Sequence, residues 1–206
     1  MDSSFYQLIN PRGIFDHNNG TIDTEKCILI KDEKILAVDT RENLEQHVGQ
    51  IPLKVIDLSD RYIFPGLCNT HVHLTFSASQ DPLKEYFEDD AIQRVIRATV
   101  NANKALKSGV TTIRDCGSGW ELLSLNRADQ ENLIETPRLI LCGPPLTPTG
   151  GHLHFMGGEV DGIEEIRKDL RQKQKQGVSS IKIIATGGQM TRGTFPEKPS
   201  FWQSTF

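Results

Sequence analysis

The chain has 206 residues, 24% of them charged and 37% hydrophobic, with a net charge of −4. This is an ordinary composition for a folded domain, long enough for one good core or two small ones. It argues against a nucleic-acid surface, which needs clustered Lys and Arg to neutralise phosphates.

Residues 1 to about 60 carry short alternating stretches split by charged turns, such as CILIKDEKILAVD (Cys27 to Asp39). Alternation with period two is the signature of half-buried antiparallel strands. Residues 1–60 are therefore expected to form a small β domain, part of a sandwich.

From Arg61 the rhythm changes. RYIFPGLCNTH is a nearly continuous apolar run, as expected of a strand buried on both faces. DDAIQRVIRATVNANKALKSG follows with Ile92, Val95, Ile96 and Thr99 at helical spacing and Gly109 as a terminator. Next come a strand at VTTIRDCG, a weaker helix at ELLSLNRADQENL and a strand at RLILCG. A Gly/Pro/His loop runs from Pro144 to about Gly158; a helix, IEEIRKDLRQKQKQG, and a fourth strand, SIKIIATGG, complete the order.

Strands alternating with helices imply parallel βαβ units and an α/β fold. No GxGxxG follows the first strand, which argues against a dinucleotide fold. A (β/α)8 barrel places functional residues at the C-terminal ends of its strands. His71, His73, Asp115 and Lys182 lie there, and four units make half of such a barrel.

His71 and His73 share one side of an extended strand, so both imidazoles can reach one cation such as zinc. The alternative is a pair of hydrogen-bonded strand-end histidines. Lys182, flanked by Ile181 and Ile183, is expected to point inward, where desolvation favours the neutral amine. A neutral amine can add carbon dioxide to give a carbamate able to bridge two metals; the alternative is a salt bridge to a carboxylate such as Asp115. His152 and His154, in TPTGGHLHFMGG, read either as substrate contacts or as part of a surface loop. Asp115 is a candidate partner of a metal ligand or a turn cap. Ser118 lacks the GxSxG frame of a serine hydrolase.

The four cysteines, Cys27, Cys68, Cys116 and Cys142, are dispersed and form no CxxC pair. They read as small buried hydrophobes in a reducing compartment, by default the cytoplasm. No apolar run approaches the roughly 20 residues that span a bilayer, and MDSSFYQLIN lacks the features of a secretory signal.

Taken in order, FPGLCNTHVHL, SGVTTIRDCG, TPTGGHLHFMGG and SIKIIATGGQMT resemble the amidohydrolase superfamily, and more closely its imidazolonepropionase-like branch with the prolidase-like dipeptidases. The resemblance implies a binuclear zinc hydrolase on a distorted (β/α)8 barrel with a small β-sandwich. It implies that His71 and His73 hold the more buried metal, that Lys182 is the carboxylated bridging lysine and that His152 lies near the substrate. It implies a small-molecule substrate: a dipeptide, an N-acyl amino acid or a cyclic amide. The family's further histidines and its late aspartate have no counterpart, because only 24 residues follow Lys182 and none is His or Asp. The expectation is that residues 61–206 are the first four βα units of a truncated barrel, inactive alone. A non-catalytic product and a half-barrel completed by another chain are the alternatives. An open fourth-strand edge is expected to invite self-association.

Overall fold

The computed structural model describes residues 5–200, which leaves the FWQSTF tail outside the described residues. The chain divides into two compact units, Met1–Pro65 and Gly66–Phe206.

The first unit contains strands β1 (Tyr6–Asp16), β2 (Thr21–Asp23), β3 (Lys26–Lys31) and β4 (Lys34–Thr40), helix α1 (Arg41–Val48) and strand β5 (Leu53–Ile63). They make one five-stranded sheet, ordered β2-β1-β3-β4, with β5 pairing β1. β5 runs parallel to β1, so the expectation of purely antiparallel strands is corrected. A parallel neighbour needs a crossover, and α1 lies within it. The helix escaped the sequence reading, although its signals are local: the Thr40 hydroxyl accepts from the Asn43 amide at 3.4 Å, and Gly49 ends the helix at φ 64°. Leu44 and Val48 of α1 pack with Leu8, Cys27 and Leu29 into the core of this unit.

The second unit alternates strand and helix. Its strands are β6 (Leu67–Val72), β7 (Val110–Asp115) and β8 (Arg138–Leu141); its helices are α2 (Pro82–Glu88), α3 (Ala91–Lys107), α4 (Ser124–Gln130) and α5 (Gly162–Lys175). β6, β7 and β8 lie side by side in chain order, all parallel. The predicted fourth strand is reduced to two isolated bridges, a parallel one of Ile183 to Leu146 and an antiparallel one of Thr186 to Pro199. The Leu146 amide donates to the Lys182 carbonyl and the Ile184 amide to the Leu146 carbonyl, at 2.8 and 2.9 Å. Leu146 belongs to the loop after β8, so this segment is carried beyond the end of that strand rather than laid along it.

The core of the second unit lies between α3 and the sheet, where Ala98 and Ala102 meet Ile113, Leu139 and Leu141, with Val95 and Ala105 at its margin. The buried stripe of α3 is thus Val95, Ala98, Ala102 and Ala105. The predicted stripe is corrected, since Ile92 and Ile96 are 72% and 51% exposed. Alanine, with no side chain beyond Cβ, lets the helix approach the sheet closely. β6 is also corrected: it is not buried on both faces, and its residues 67–71 are exposed.

α2 and α3 are tied by Arg97, which pairs with Asp89 at 2.8 Å and Glu85 at 3.2 Å. Tyr86 of α2 packs with Leu153, Met156 and Ile184. Its ring also stands edge-on to Phe76 and Phe155, with centroids 5.3 Å away in each case. This cluster anchors the His152–Met156 turn on the second unit. Among the described residues, no helix is long and apolar enough to cross a membrane.

Candidate functional site

β6 delivers the two histidines with a register shift. Asn69 pairs with Ile113 and Val72 with Asp115, so β6 advances three residues where β7 advances two. The extra residue is a bulge around Thr70 and His71, a device that re-aims side chains and frees a backbone group. The Thr70 carbonyl accepts from Arg114 Nε at 2.8 Å. The imidazoles of His71 and His73 come together with centroids 5.6 Å apart.

His73 is fixed more firmly than His71. Its Nδ1 lies 3.0 Å from the Gly117 carbonyl. A carbonyl oxygen can only accept, so Nδ1 carries the proton and Nε2 of the neutral ring keeps its lone pair. Burial, then the nearby positive charge of His71 and Lys182, holds His73 below the usual histidine range against the Gly117 bond, which acts the other way. His71 is lowered by partial burial first and then by Lys182 and Arg114. Both shifts favour the neutral, ligating imidazole.

Asp115 explains how the end of β6 is held. It is fully buried. One carboxylate oxygen accepts from the Leu74 amide at 2.8 Å and the other from the Gly117 amide at 3.2 Å. It therefore clamps the chain one residue past His73 to the residue whose carbonyl orients His73. Its partners are these amides, and among the described residues it forms no ion pair with Lys182. Burial raises its pKa to about 6, against the two amide bonds and the smaller effect of the Ser118 hydroxyl.

Lys182 is half-buried, and Ile181 and Ile183 are exposed, so the expected alternation is present. His71 and Lys182 line one cavity of about 130 Å³ together with Arg114 and Cys116. His152 approaches from the loop. Its Nδ1 lies 3.0 Å from Thr191 Oγ1, and the same hydroxyl accepts from the Leu153 amide at 3.0 Å. Leu153 itself takes a left-handed φ of 60°. Burial first, and Lys182 second, lowers His152. His154 turns elsewhere, its Nδ1 3.9 Å from Glu159. The structure thus gathers His71, His73 and Lys182, brings His152 within their electrostatic reach and directs His154 to Glu159. Thr191 escaped the sequence reading; nothing in "GGQMT" marks a hydroxyl that organises a residue 39 positions upstream.

Among the described residues, no group of three or more His, Cys, Asp or Glu converges as a metal cage. The donors present fit a metal in part: two neutral imidazoles, one with its lone-pair nitrogen oriented by a carbonyl, and a lysine amine beside them. Four ligands are the rule for a closed zinc site.

Gly117 tests this geometry. A Cβ placed there would lie 3.1 Å from His73 Cε1 and 3.1 Å from Met156 Sδ. Gly117→Ala is expected to push the imidazole off its carbonyl and release its fixed tautomer. Nitrogen-15 NMR of the His73 ring in parent and variant measures the tautomer ratio.

The strand-ordered parallel sheet brings histidines and a lysine to its C-terminal end, where α/β barrels carry their functional residues. The amidohydrolase family matches residues 62–205, and the chain belongs to it. It is 27% identical over 168 residues to an ochratoxinase of Aspergillus niger, covering 68% of this chain and 34% of that one. It is 28% identical over 154 residues to an imidazolonepropionase of Fusobacterium nucleatum, covering 63% and 36%. The solved structure of a Xaa-Pro dipeptidase with bound methionine superposes with a TM-score of 0.80 at 28% identity, over 95% of this chain and 51% of that one. The chain spans about a third of the length of these curated relatives.

Proposed function

We propose that this chain carries the early metal ligands of a hydrolase that cleaves C–N bonds in small molecules. In this reading residues 1–60 contribute to a small β-sandwich and residues 61–206 are the opening βα units of a (β/α)8 barrel. The observation that carries it is the His73 tether. A side chain held by Nδ1 with its Nε2 lone pair presented beside a second imidazole is oriented for a cation.

His71 and His73 would hold the metal, zinc in the first instance, and Lys182 would join as a carbamate. A divalent ion bound there supplies Lewis-acid polarisation of a scissile carbonyl. The rest falls to the protein. Gly117 fixes the His73 tautomer, Asp115 fixes Gly117, and Arg114 makes the cavity attractive to carboxylate-bearing substrates. His152, held by Thr191, is placed to orient a substrate carbonyl or carboxylate. The relatives' names, a Xaa-Pro dipeptidase and an imidazolonepropionase, support a dipeptide, an N-acyl amino acid or a cyclic amide as substrate. Three buried free thiols support a reducing, cytoplasmic setting.

These residues supply only part of a binuclear ligand set, so a polypeptide limited to them is proposed to bind at most one metal weakly and to turn over nothing alone. The exposed β6 edge favours a second reading, in which a complementary polypeptide completes the site. The test is elemental analysis of the purified chain and of Lys182→Ala in bicarbonate buffer, with a dipeptide panel on the same samples. Up to one metal per chain, at least about 10-fold weaker retention in the variant and no turnover are expected. Unchanged metal in Lys182→Ala would remove the lysine from the site. Two metals with turnover would show that the ligand set is complete.

A further inference from the structure

Two of the buried cysteines stand side by side. β7 and β8 pair in parallel with Asp115 opposite Leu141, so the next positions, Cys116 and Cys142, are neighbours across the two strand ends. Ile113, Leu139 and Leu141 face the α3 core. By alternation Cys116 and Cys142 face the other side of the sheet. There both line the 130 Å³ cavity that also holds His71, Arg114, Asp115 and Lys182. Both thiols are free, and the two residues are only 5% and 1% exposed. Each thiol is a weak donor to backbone carbonyls, Cys116 Sγ to Thr70 at 3.7 Å and Arg114 at 3.9 Å, and Cys142 Sγ to Gly143 at 3.2 Å.

We propose that Cys116 and Cys142 form a two-thiol site for a soft monovalent cation of the copper(I) class. Thiolates select soft ions, and two adjacent sulfur donors suit a two-coordinate ion rather than zinc, which takes four ligands. On binding, one Cu+ forms two Cu–S bonds and the two S–H protons leave to solvent. No electron is transferred, and the product unit carries one negative charge. Arg114 and Lys182, lining the same cavity, are the positive groups that offset it. Removal of the protons is the obstacle, since burial and then the negative charge of Asp115 and Cys116 push the Cys142 thiol up to about 12. A cation bonded to both sulfurs replaces those protons, and metal-bound thiols are deprotonated outright. The thiol pair shares its cavity with His71 and Lys182 but takes neither as a ligand, and it requires Lys182 as a free ammonium rather than a carbamate.

The test is anaerobic titration of the reduced chain with Cu(I) against a competing chelator, followed by copper X-ray absorption on the retained metal. One copper per chain with two sulfur neighbours is expected. Cys116→Ser and Cys142→Ser should each weaken retention at least about 100-fold, and Cys68→Ser, at an exposed position, should leave it unchanged. No retained copper, a sulfur count other than two, or retention that survives loss of either Cys116 or Cys142 overturns the proposal. The absorption measurement on the unmodified chain decides the matter even where a variant misfolds.

Discussion

Asp115→Ala is expected to lower the unfolding free energy of the second unit by about 3 kcal/mol, read from urea titration by tryptophan fluorescence. The carboxylate is fully buried and receives the Leu74 and Gly117 amides on separate oxygens. Alanine leaves both amides without a partner in a place water does not reach, and each buried unsatisfied group costs about 1–3 kcal/mol. A small cavity adds to the loss. Asp115→Asn should fall between parent and alanine. Its amide oxygen can serve one N–H, but its NH2 group would face the other donor. Equal stability of parent and alanine variant would show that these amides find other partners.

The same residue predicts a pH dependence with a definite sign. Burial raises Asp115 from 3.8 to about 6 in the folded chain. The folded state therefore holds its proton more tightly than the unfolded state. The resulting stabilisation is complete below about pH 3.8, is lost as pH rises towards 6 and is absent above it. Its size is on the order of 3 kcal/mol, because every tenfold gain in proton affinity on folding corresponds to about 1.4 kcal/mol. Asp115→Asn cannot titrate, so the difference in stability between parent and this variant should move against the parent between about pH 4 and pH 7. A constant difference across that range would show that Asp115 titrates normally.

What could be read from the sequence follows from the distance over which each feature is determined. From residue 66 the order β6, α3, β7, α4, β8, α5 was legible because period-two and period-3.6 patterns are local and the termini at Asp90 and Gly109 are marked by single residues; the seven-residue α2 was not read. His71 and His73 meet, with ring centroids 5.6 Å apart, but through a bulge and with His73 past the end of β6 rather than by the regular alternation expected. The buried face of α3 was misread because large apolar residues advertise a core, whereas here Ala98 and Ala102 make the contact. The bulge at His71, the clamp by Asp115 on Leu74 and the Thr191 support of His152 depend on partners about 40 residues away. Nothing in the local pattern encodes such pairings. The fate of the fourth strand has the same cause, since its isolated bridges are to Leu146 in a preceding loop and to Pro199 in a following one.

His73→Ala is expected to reduce metal retention at least about 100-fold, and His71→Ala substantially less. Both remove one nitrogen donor. The difference lies in preorganisation, because His73 is held by the Gly117 carbonyl at 3.0 Å. The side chain of His71 is exposed and lacks such an anchor among the described residues, so its ring must be ordered when a cation arrives. Ordering a free side chain costs binding free energy that a pre-fixed one does not. Protons compete with a cation for the same lone pairs. Both imidazoles are depressed below 6.5, so the midpoint of metal loss on acidification should lie below that of an ordinary histidine site. Dialysis of the parent and both variants against buffered zinc from about pH 5 to pH 8 measures the ranking and the midpoint together. Equal losses from His71→Ala and His73→Ala would mean that the Gly117 tether does not preorganise the site. Retention unchanged in both would mean that the paired histidines close the strand end without holding a cation.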